Sequence, residues 1–95
     1  MSLLVISPQA EQDLLDIWLY IAQDSPLNAD RFLDRLNDTA QRLADFQDMG
    51  TARPELAEGV LCFPVEHYVL YYRKQITGVE LVRVLHASRD IEQIF

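Results

Sequence analysis

The chain opens with a short apolar run that is followed by apolar residues at helical spacing. The run covers residues 3–6 and ends at Ser7 and Pro8, as expected for a buried strand. Ser7 can cap a helix that has Pro8 at its first position, where no amide hydrogen is needed. Apolar residues then recur every three or four positions up to Ile21, which predicts a helix over residues 8–23.

A second helix begins almost at once. Ser25 and Pro26 repeat the start signal, and a second apolar stripe predicts a helix over residues 26–47 with Gly50 as its stop. Because a link this short cannot connect elements that lie far apart, the two helices should form a hairpin.

The second half of the chain changes to short apolar runs that are typical of strands. Three runs rich in Val, Leu and Tyr cover residues 60–63, 66–73 and 79–86, and residues 51–58 form the one long loop. Short connections between such runs favour antiparallel pairing. The sequence therefore predicts an α+β fold of order β-αα-βββ, in which an N-terminal strand and a helical hairpin pack on a small, mostly antiparallel sheet. Residues 1–95 should form one domain.

The last predicted strand carries one arginine in an otherwise mostly apolar run. Strict alternation of faces puts Leu81 and Leu85 on the side of Arg83, and Val82 and Val84 on the opposite side. Both sides are apolar, so alternation leaves open whether Arg83 points toward the helices or toward solvent.

The charge of the chain restricts its partners. The net charge is −7, with nine Asp and Glu against three Arg in residues 1–50, and six against five Arg and Lys in residues 51–95. This average field opposes binding to a polyanion, although a local basic patch in the second half remains open. The single cysteine, the lack of a secretion signal and the lack of a long apolar span fit a cytoplasmic protein with no metal or cofactor.

Several polar residues of the second half could carry chemistry. A metal-free ribonuclease needs a base, an acid and cations on the phosphate. The candidates for proton transfer are Glu55, His67 and His86, and those for charge are Arg53, Arg73, Arg83 and Arg89. Each also has a structural interpretation, such as a loop ion pair between Arg53 and Glu55, and no spacing among them is diagnostic.

The first helix has more apolar surface than packing on one sheet requires. Leu15, Leu19 and Ala22 lie roughly 100° beyond the centre of its inner stripe. One interpretation is that the sheet or the second helix covers this shoulder. The alternative is that the shoulder docks a partner peptide or helix.

The order and spacing of several short motifs resemble the ParE/RelE toxins of bacterial toxin–antitoxin pairs. The helical motifs are Ala10-Glu-x-Asp13-Leu14-x-x-Ile17-x-x-Tyr20-Ile21 and Pro26-x-x-Ala29-x-x-Phe32. They are followed by Gly50-x-x-Arg53-Pro54-Glu55-Leu56 with Gly59, Tyr68-x-Leu70-x-Tyr72-Arg73 and Val84-Leu85-His86-x-x-Arg89-Asp90. The resemblance covers nearly the whole chain and is strongest to the ParE branch, also called plasmid-stabilisation proteins.

This resemblance implies a toxin that a ParD-like antitoxin neutralises in a hetero-oligomer, and that arrests growth by inhibiting DNA gyrase without enzymatic turnover. The acidic charge and the single lysine, Lys74, favour this branch over the mRNA-cleaving RelE branch. The antitoxin would bind at Leu15, Leu19 and Ala22. The target would bind at Arg73, Arg83, His86, Arg89, Ile94 and Phe95.

Two alternatives to this function remain open, and residues 91–95 have one alternative role. In a RelE-like ribonuclease, Arg83, His86 and Arg89 would be the catalytic residues. A non-toxic module would only bind an antitoxin-like segment. Residues 91–95 could also be a short helix or tail folded over the sheet rather than a contact surface.

Overall fold

The structure, a computed structural model, describes residues 2–95. It confirms the predicted α+β class: a strand and two helices precede an antiparallel meander, and a short helix ends the chain. The elements in chain order are β1 (Leu3–Ile6), α1 (Pro8–Ala22), α2 (Pro26–Asp45), β2 (Thr51–Ala52), β3 (Val60–Val65), β4 (Tyr68–Gln75), β5 (Gly78–His86) and α3 (Ile91–Ile94).

Both long helices start at the serines that the sequence indicated. The Ser7 hydroxyl accepts a hydrogen bond from the Ala10 amide at 3.0 Å, and the Ser25 hydroxyl accepts one from the Asn28 amide at 3.2 Å. These side chains satisfy amide groups that have no partner in the first helical turn.

The second helix ends at Asp45, two residues before the predicted end. The Tyr72 hydroxyl donates a hydrogen bond to the Gln47 carbonyl at 2.8 Å and accepts one from the Gly50 amide at 2.9 Å. Because the sheet binds these two backbone groups, the chain leaves the helical path before Gln47.

The five strands form one sheet in the order β1-β5-β4-β3-β2. The β1 strand is parallel to β5, and every other pair is antiparallel. The prediction that residues 51–58 are entirely loop is wrong, since Thr51 pairs with Cys62 and Ala52 pairs with Leu61.

A bulge in β5 overturns the strict alternation expected there. Tyr71 lies opposite Arg83 and Tyr72 lies opposite Leu81, so Val82 is an extra residue. The side chains of Leu81 and Val84 consequently both enter the core under the helices, whereas Leu85 packs on the other face of the sheet. The expectation that Leu81 and Leu85 share a face is therefore wrong.

Apolar side chains pack on both faces of the sheet. The main core lies between the helices and the sheet and includes Leu36, Leu43, Leu70 and Tyr72, which are all at most 1% exposed. A smaller cluster on the opposite face contains Leu56, Val60, Tyr71 and Leu85, and α3 with Phe95 packs over it. Among residues 2–95, no helix is long and apolar enough to cross a membrane.

Candidate functional site

Arg83, the cation of the last strand, is bound by the first helix. Its Nε and terminal nitrogen donate to the two carboxylate oxygens of Asp13 at 2.7 and 2.9 Å. The Asp13 side chain is 10% exposed and that of Arg83 is 25% exposed, so this bidentate pair is largely withdrawn from water. Hydrogen bonding to Asp13 raises the pKa of Arg83, which keeps its charge fixed.

Asp13 also binds the edge of β5 at a point where that edge has no neighbouring strand. The β1 strand pairs with β5 only as far as Leu81, so the next residues of β5 have no strand on that side. The Ser7 hydroxyl donates to the Val82 carbonyl at 2.8 Å, and the Val84 amide donates to Asp13 at 3.0 Å. Side chains at the start of α1 thus satisfy an edge that could otherwise pair with another strand.

The end of β5 borders a groove under the tip of the helical hairpin. This hairpin-tip groove is an open depression of about 860 Å³ between the helical hairpin and the start of β4. It is lined by Tyr20, Ile21, Asn28, Arg31, Phe32, Arg35, Glu66, His67, Tyr68, His86 and Ser88.

Aromatic rings meet one another along the wall of the hairpin-tip groove. The ring of Tyr68 lies 5.5 Å from that of Phe32 and makes an edge contact with His86, with ring centres 5.1 Å apart. The imidazoles of His67 and His86 are nearly parallel, with centres 6.2 Å apart. Burial raises the pKa of Tyr68, and the nearby Tyr20 adds to this effect.

The orientation of His86 is set by the turn that follows it. The Ser88 amide donates to Nδ1 of His86 at 3.1 Å. Because a backbone amide can only donate, Nδ1 is an acceptor, and the neutral ring carries its proton on Nε2. His86 therefore offers an N–H donor at the groove.

The rim of the hairpin-tip groove carries two arginines and one carboxylate. Arg35 donates to Glu66 at 2.9 Å, and both side chains are about half exposed. Arg31 lies one helical turn before Arg35 on the same helix and lines the groove as well. The formal charge of these three residues is positive in a chain whose net charge is −7.

The six residues predicted to contact a target do not lie together. Arg83 is bound to Asp13, and only His86 lines the hairpin-tip groove. On the opposite face of the sheet, Ile94 packs partly buried with the smaller cluster and the Phe95 ring lies 5.2 Å from that of Tyr71. The remaining two are Arg73, which is half-buried and donates to the Glu58 carbonyl at 3.3 Å, and Arg89, which is exposed.

The tail therefore adopts the alternative arrangement considered for residues 91–95, a short helix folded over the sheet. The loop ion pair expected between Arg53 and Glu55 is confirmed at 2.6 Å. Hydrogen bonding from Arg53 lowers the pKa of Glu55, so that carboxyl stays ionised and is a poor general acid near neutral pH. A further pair joins Lys74 to Asp48.

The apolar shoulder of α1 is open to solvent. Leu15 is 51% exposed and Leu19 is 50% exposed, whereas Ala22 is half-buried. The hairpin partner does not cover the two leucines. Its contact with α1 includes the hydrogen bond from the indole N–H of Trp18 to Asp30 at 2.8 Å.

The sequence did not single out most of the groove. Tyr20 and Phe32 belong to the two helical motifs, and Tyr68 and His86 belong to the last two strand motifs. Four separate motifs thus contribute one aromatic residue each to the same depression. Tyr20, at 69% exposed, could have been identified from the sequence because an aromatic residue outside the apolar stripe needs an explanation. Within residues 2–95, no three His, Cys, Asp or Glu side chains are grouped so as to hold a metal ion.

Comparison with known proteins gives matches over most of the chain. The family model described as "ParE toxin of type II toxin-antitoxin system, parDE" matches residues 4–91. Two toxins of Caulobacter vibrioides are similar: Toxin RelE2 is 39% identical over 82 residues, and Toxin RelE3 is 29% identical over 83 residues. These alignments cover 85% and 86% of this chain, and 90% of each relative.

A solved structure shares the fold. It is described as the chromosomal ParDE TA system from P. aeruginosa, and it superposes with a TM-score of 0.74 at 20% sequence identity. The match covers 90% of this chain and 96% of the other.

Proposed function

The chain belongs to the family of ParE toxins of type II toxin–antitoxin systems, and we propose that it inhibits DNA gyrase by binding and is neutralised by a ParD-like antitoxin. The two proteins would form a hetero-oligomer in the cytoplasm. In this proposal the toxin has no enzymatic turnover and needs no cofactor.

The state of the cations supports inhibition by binding rather than RNA cleavage. Of the eight Lys and Arg residues, Arg35, Arg53, Lys74 and Arg83 each form an ion pair with an acidic side chain. A ribonuclease site needs unpaired cations beside the scissile phosphate, where charge develops in the transition state. Arg83 is the observation on which this argument rests, since Nε and one terminal nitrogen of its guanidinium, the edge suited to bidentate binding of an oxyanion, are already bound to the two carboxylate oxygens of Asp13.

The target would contact the end of β5, the turn that follows it, and the face of the sheet that α3 covers. We propose that the exposed residues His86, at the end of β5, and Arg89, in the turn after it, contribute to this contact. The half-buried residues Arg73, Ile94 and Phe95 would contribute from the face that carries the smaller cluster and α3. Arg83 would act indirectly, by holding β5 and its bulge against α1.

A supercoiling assay with purified gyrase tests the proposal. We expect the protein to inhibit supercoiling, and Arg89→Glu to weaken inhibition without a change in unfolding temperature. Arg42→Glu, an exposed arginine on α2 away from these residues, is the matched control. Unchanged gyrase activity at an excess of folded protein would refute gyrase inhibition.

A RelE-like ribonuclease is the second candidate, because two imidazoles and Arg31 border one groove. It predicts codon-phased mRNA cuts after induction and their loss in His67→Ala and His86→Ala. A non-toxic binding module predicts neither cuts nor growth arrest.

The antitoxin would cover the shoulder of α1. Leu15→Glu combined with Leu19→Glu should abolish complex formation with the product of an adjacent antitoxin gene, because two buried carboxylates would replace apolar contacts. Phe46→Glu combined with Ile76→Glu is the matched control, since both residues are exposed and apolar but lie at the opposite end of the molecule. Equal complex formation by the two double variants would contradict this location.

A further inference from the structure

The hairpin-tip groove has an apolar wall and a rim of hydrogen-bond donors. Phe32, Tyr68 and Ile21 supply the wall, and the Tyr20 side chain stands at the edge with 69% of its surface exposed. Packing within the fold does not account for this exposed ring. Apolar depressions with a few polar groups at the rim are the usual form of a binding site.

We propose that the hairpin-tip groove binds an acidic segment of a partner protein, which inserts one large apolar side chain between Tyr20 and Tyr68 and directs carboxylates toward Arg31 and His86. The groove is a separate surface from the shoulder of α1, because Tyr20 lies about 100° around the helix from Leu19. The proposal does not depend on the action of the protein on gyrase.

The polar groups of the rim determine the chemistry of the partner. Arg31 provides a guanidinium, and His86 provides the Nε2–H that its contact with Ser88 leaves available. The carboxylate of Glu66 already accepts a hydrogen bond from Arg35. The rim therefore offers more donors than free acceptors, and a ligand that supplies oxygen acceptors is complementary to it.

The charge and the size of the hairpin-tip groove fit a carboxylate-bearing peptide. Arg31, Arg35 and Glu66 together carry one positive charge, which suffices for single carboxylates. A depression of about 860 Å³ is also large enough for one aromatic or aliphatic side chain with its flanking backbone.

The test uses NMR titration of the full-length, isotope-labelled protein with short synthetic peptides. The first peptide carries Trp flanked on each side by Glu in a Gly-Ser host. The second has Ala in place of Trp, the third has Lys in place of Glu, and adenosine monophosphate is the nucleotide control. We expect the first peptide to shift the resonances of Tyr20, Arg31 and Tyr68, and the other three ligands to bind at least about tenfold more weakly.

Variants then locate the site. Arg31→Glu and Tyr20→Ala should each weaken the first peptide by about tenfold, since one removes a charged donor and the other removes part of the apolar wall. Arg42→Glu introduces the same charge change on an exposed part of the same helix outside the groove, and it should bind the peptide as the parent protein does.

Three results would overturn the proposal. They are no shift with the first peptide at about 1 mM, equal binding of the Lys peptide, and tighter binding of adenosine monophosphate than of any peptide. Because these titrations contain no gyrase and no antitoxin, their failure is distinguishable from failure of the proposed function.

Discussion

Replacement of Asp13 by Asn should destabilise the fold far more than the loss of one exposed surface charge would. The carboxylate accepts two hydrogen bonds from Arg83 and one from the Val84 amide. An amide of the same shape whose oxygen takes the place of Oδ2 can still accept from Nε of Arg83 and from the Val84 amide, but its NH₂ group then faces the terminal nitrogen of the guanidinium. Arg83, with a side chain only 25% exposed, would lose its counter-ion.

The magnitude lies between those of exposed and buried ion pairs. Exposed pairs contribute about 0–1 kcal/mol, whereas removal of one partner from a buried pair costs about 3–5 kcal/mol. With side chains 10% and 25% exposed, Asp13 and Arg83 are close to the buried case but retain some hydration. We therefore expect Asp13→Asn to lower the free energy of unfolding by about 2–3 kcal/mol. In a chain of this length, that loss lowers the unfolding temperature by about 10–20 °C.

The measurement is urea unfolding at neutral pH, followed by far-UV circular dichroism. A cycle of Asp13→Asn, Arg83→Met and the double variant isolates the interaction between the two side chains. The double variant should be more stable than the sum of the single losses predicts by about 1 kcal/mol or more, because neither partner is then left alone. Strict additivity, or a loss below about 0.5 kcal/mol for Asp13→Asn, would refute the reasoning.

Arg89→Ala is the matched control for Arg83. Arg89 is exposed in the turn after β5, so this substitution should change the free energy of unfolding by less than about 0.5 kcal/mol. If Arg83→Met weakens growth arrest, the extent of the weakening should match the fraction of the variant that is unfolded. Full activity loss in a fully folded Arg83→Met variant would instead make Arg83 a direct target contact.

Two further predictions concern the contact between Tyr72 and the segment after α2. Burial raises the pKa of Tyr72 above that of an unfolded tyrosine, so the stability from its protonated form is present below about pH 10 and is lost as the pH rises further. Measured by urea unfolding from pH 8 to 11, the free energy of unfolding should decline less steeply with pH in Tyr72→Phe than in the parent protein. The two slopes should differ by at most about 1.4 kcal/mol per pH unit, and identical slopes would contradict the prediction. Gly50→Ala should cost about 2 kcal/mol or more, because the added Cβ would lie 2.5 Å from the Tyr72 hydroxyl and 2.7 Å from the Cys62 carbonyl oxygen. The control is Gly59→Asn, because Gly59 lies in open space at a φ of 77°, which Asn tolerates. This substitution should lower the free energy of unfolding by less than about 1 kcal/mol in the same assay.

The parts of the fold that the sequence predicted depend on local signals. Ser7 and Ser25 are caps whose partners lie three residues away, so the helix starts are visible in the sequence. The end of α2 was predicted less well, because it depends on Tyr72, which lies 25 residues beyond Gln47. The short β2 strand was missed for the same reason: its two residues are held by their pairing with β3.

The arrangement of side chains along β5 depends on the β-bulge at Val82, where the sequence has no glycine or other marker of a bulge. Without the extra residue Val82, Leu81 and Leu85 would share a face; the bulge instead places them on opposite sides. It occurs where β1 has ended, which leaves room for Asp13 to bind both Arg83 and the Val84 amide across 70 residues of sequence. Within β5, Arg83 consequently has a structural role, whereas His86, three residues further on, borders the hairpin-tip groove.

This separation also limits what a motif can say about function. Residues that are near neighbours at the end of β5 face different surroundings: His86 borders the groove, Leu85 packs beneath α3, and Arg83 is held by α1. Conversely, Tyr20, 66 positions before His86, lines the same groove. A loss of function on mutation within the motif therefore has to be assigned residue by residue, with stability measured alongside, because adjacent positions act on different surfaces of the molecule.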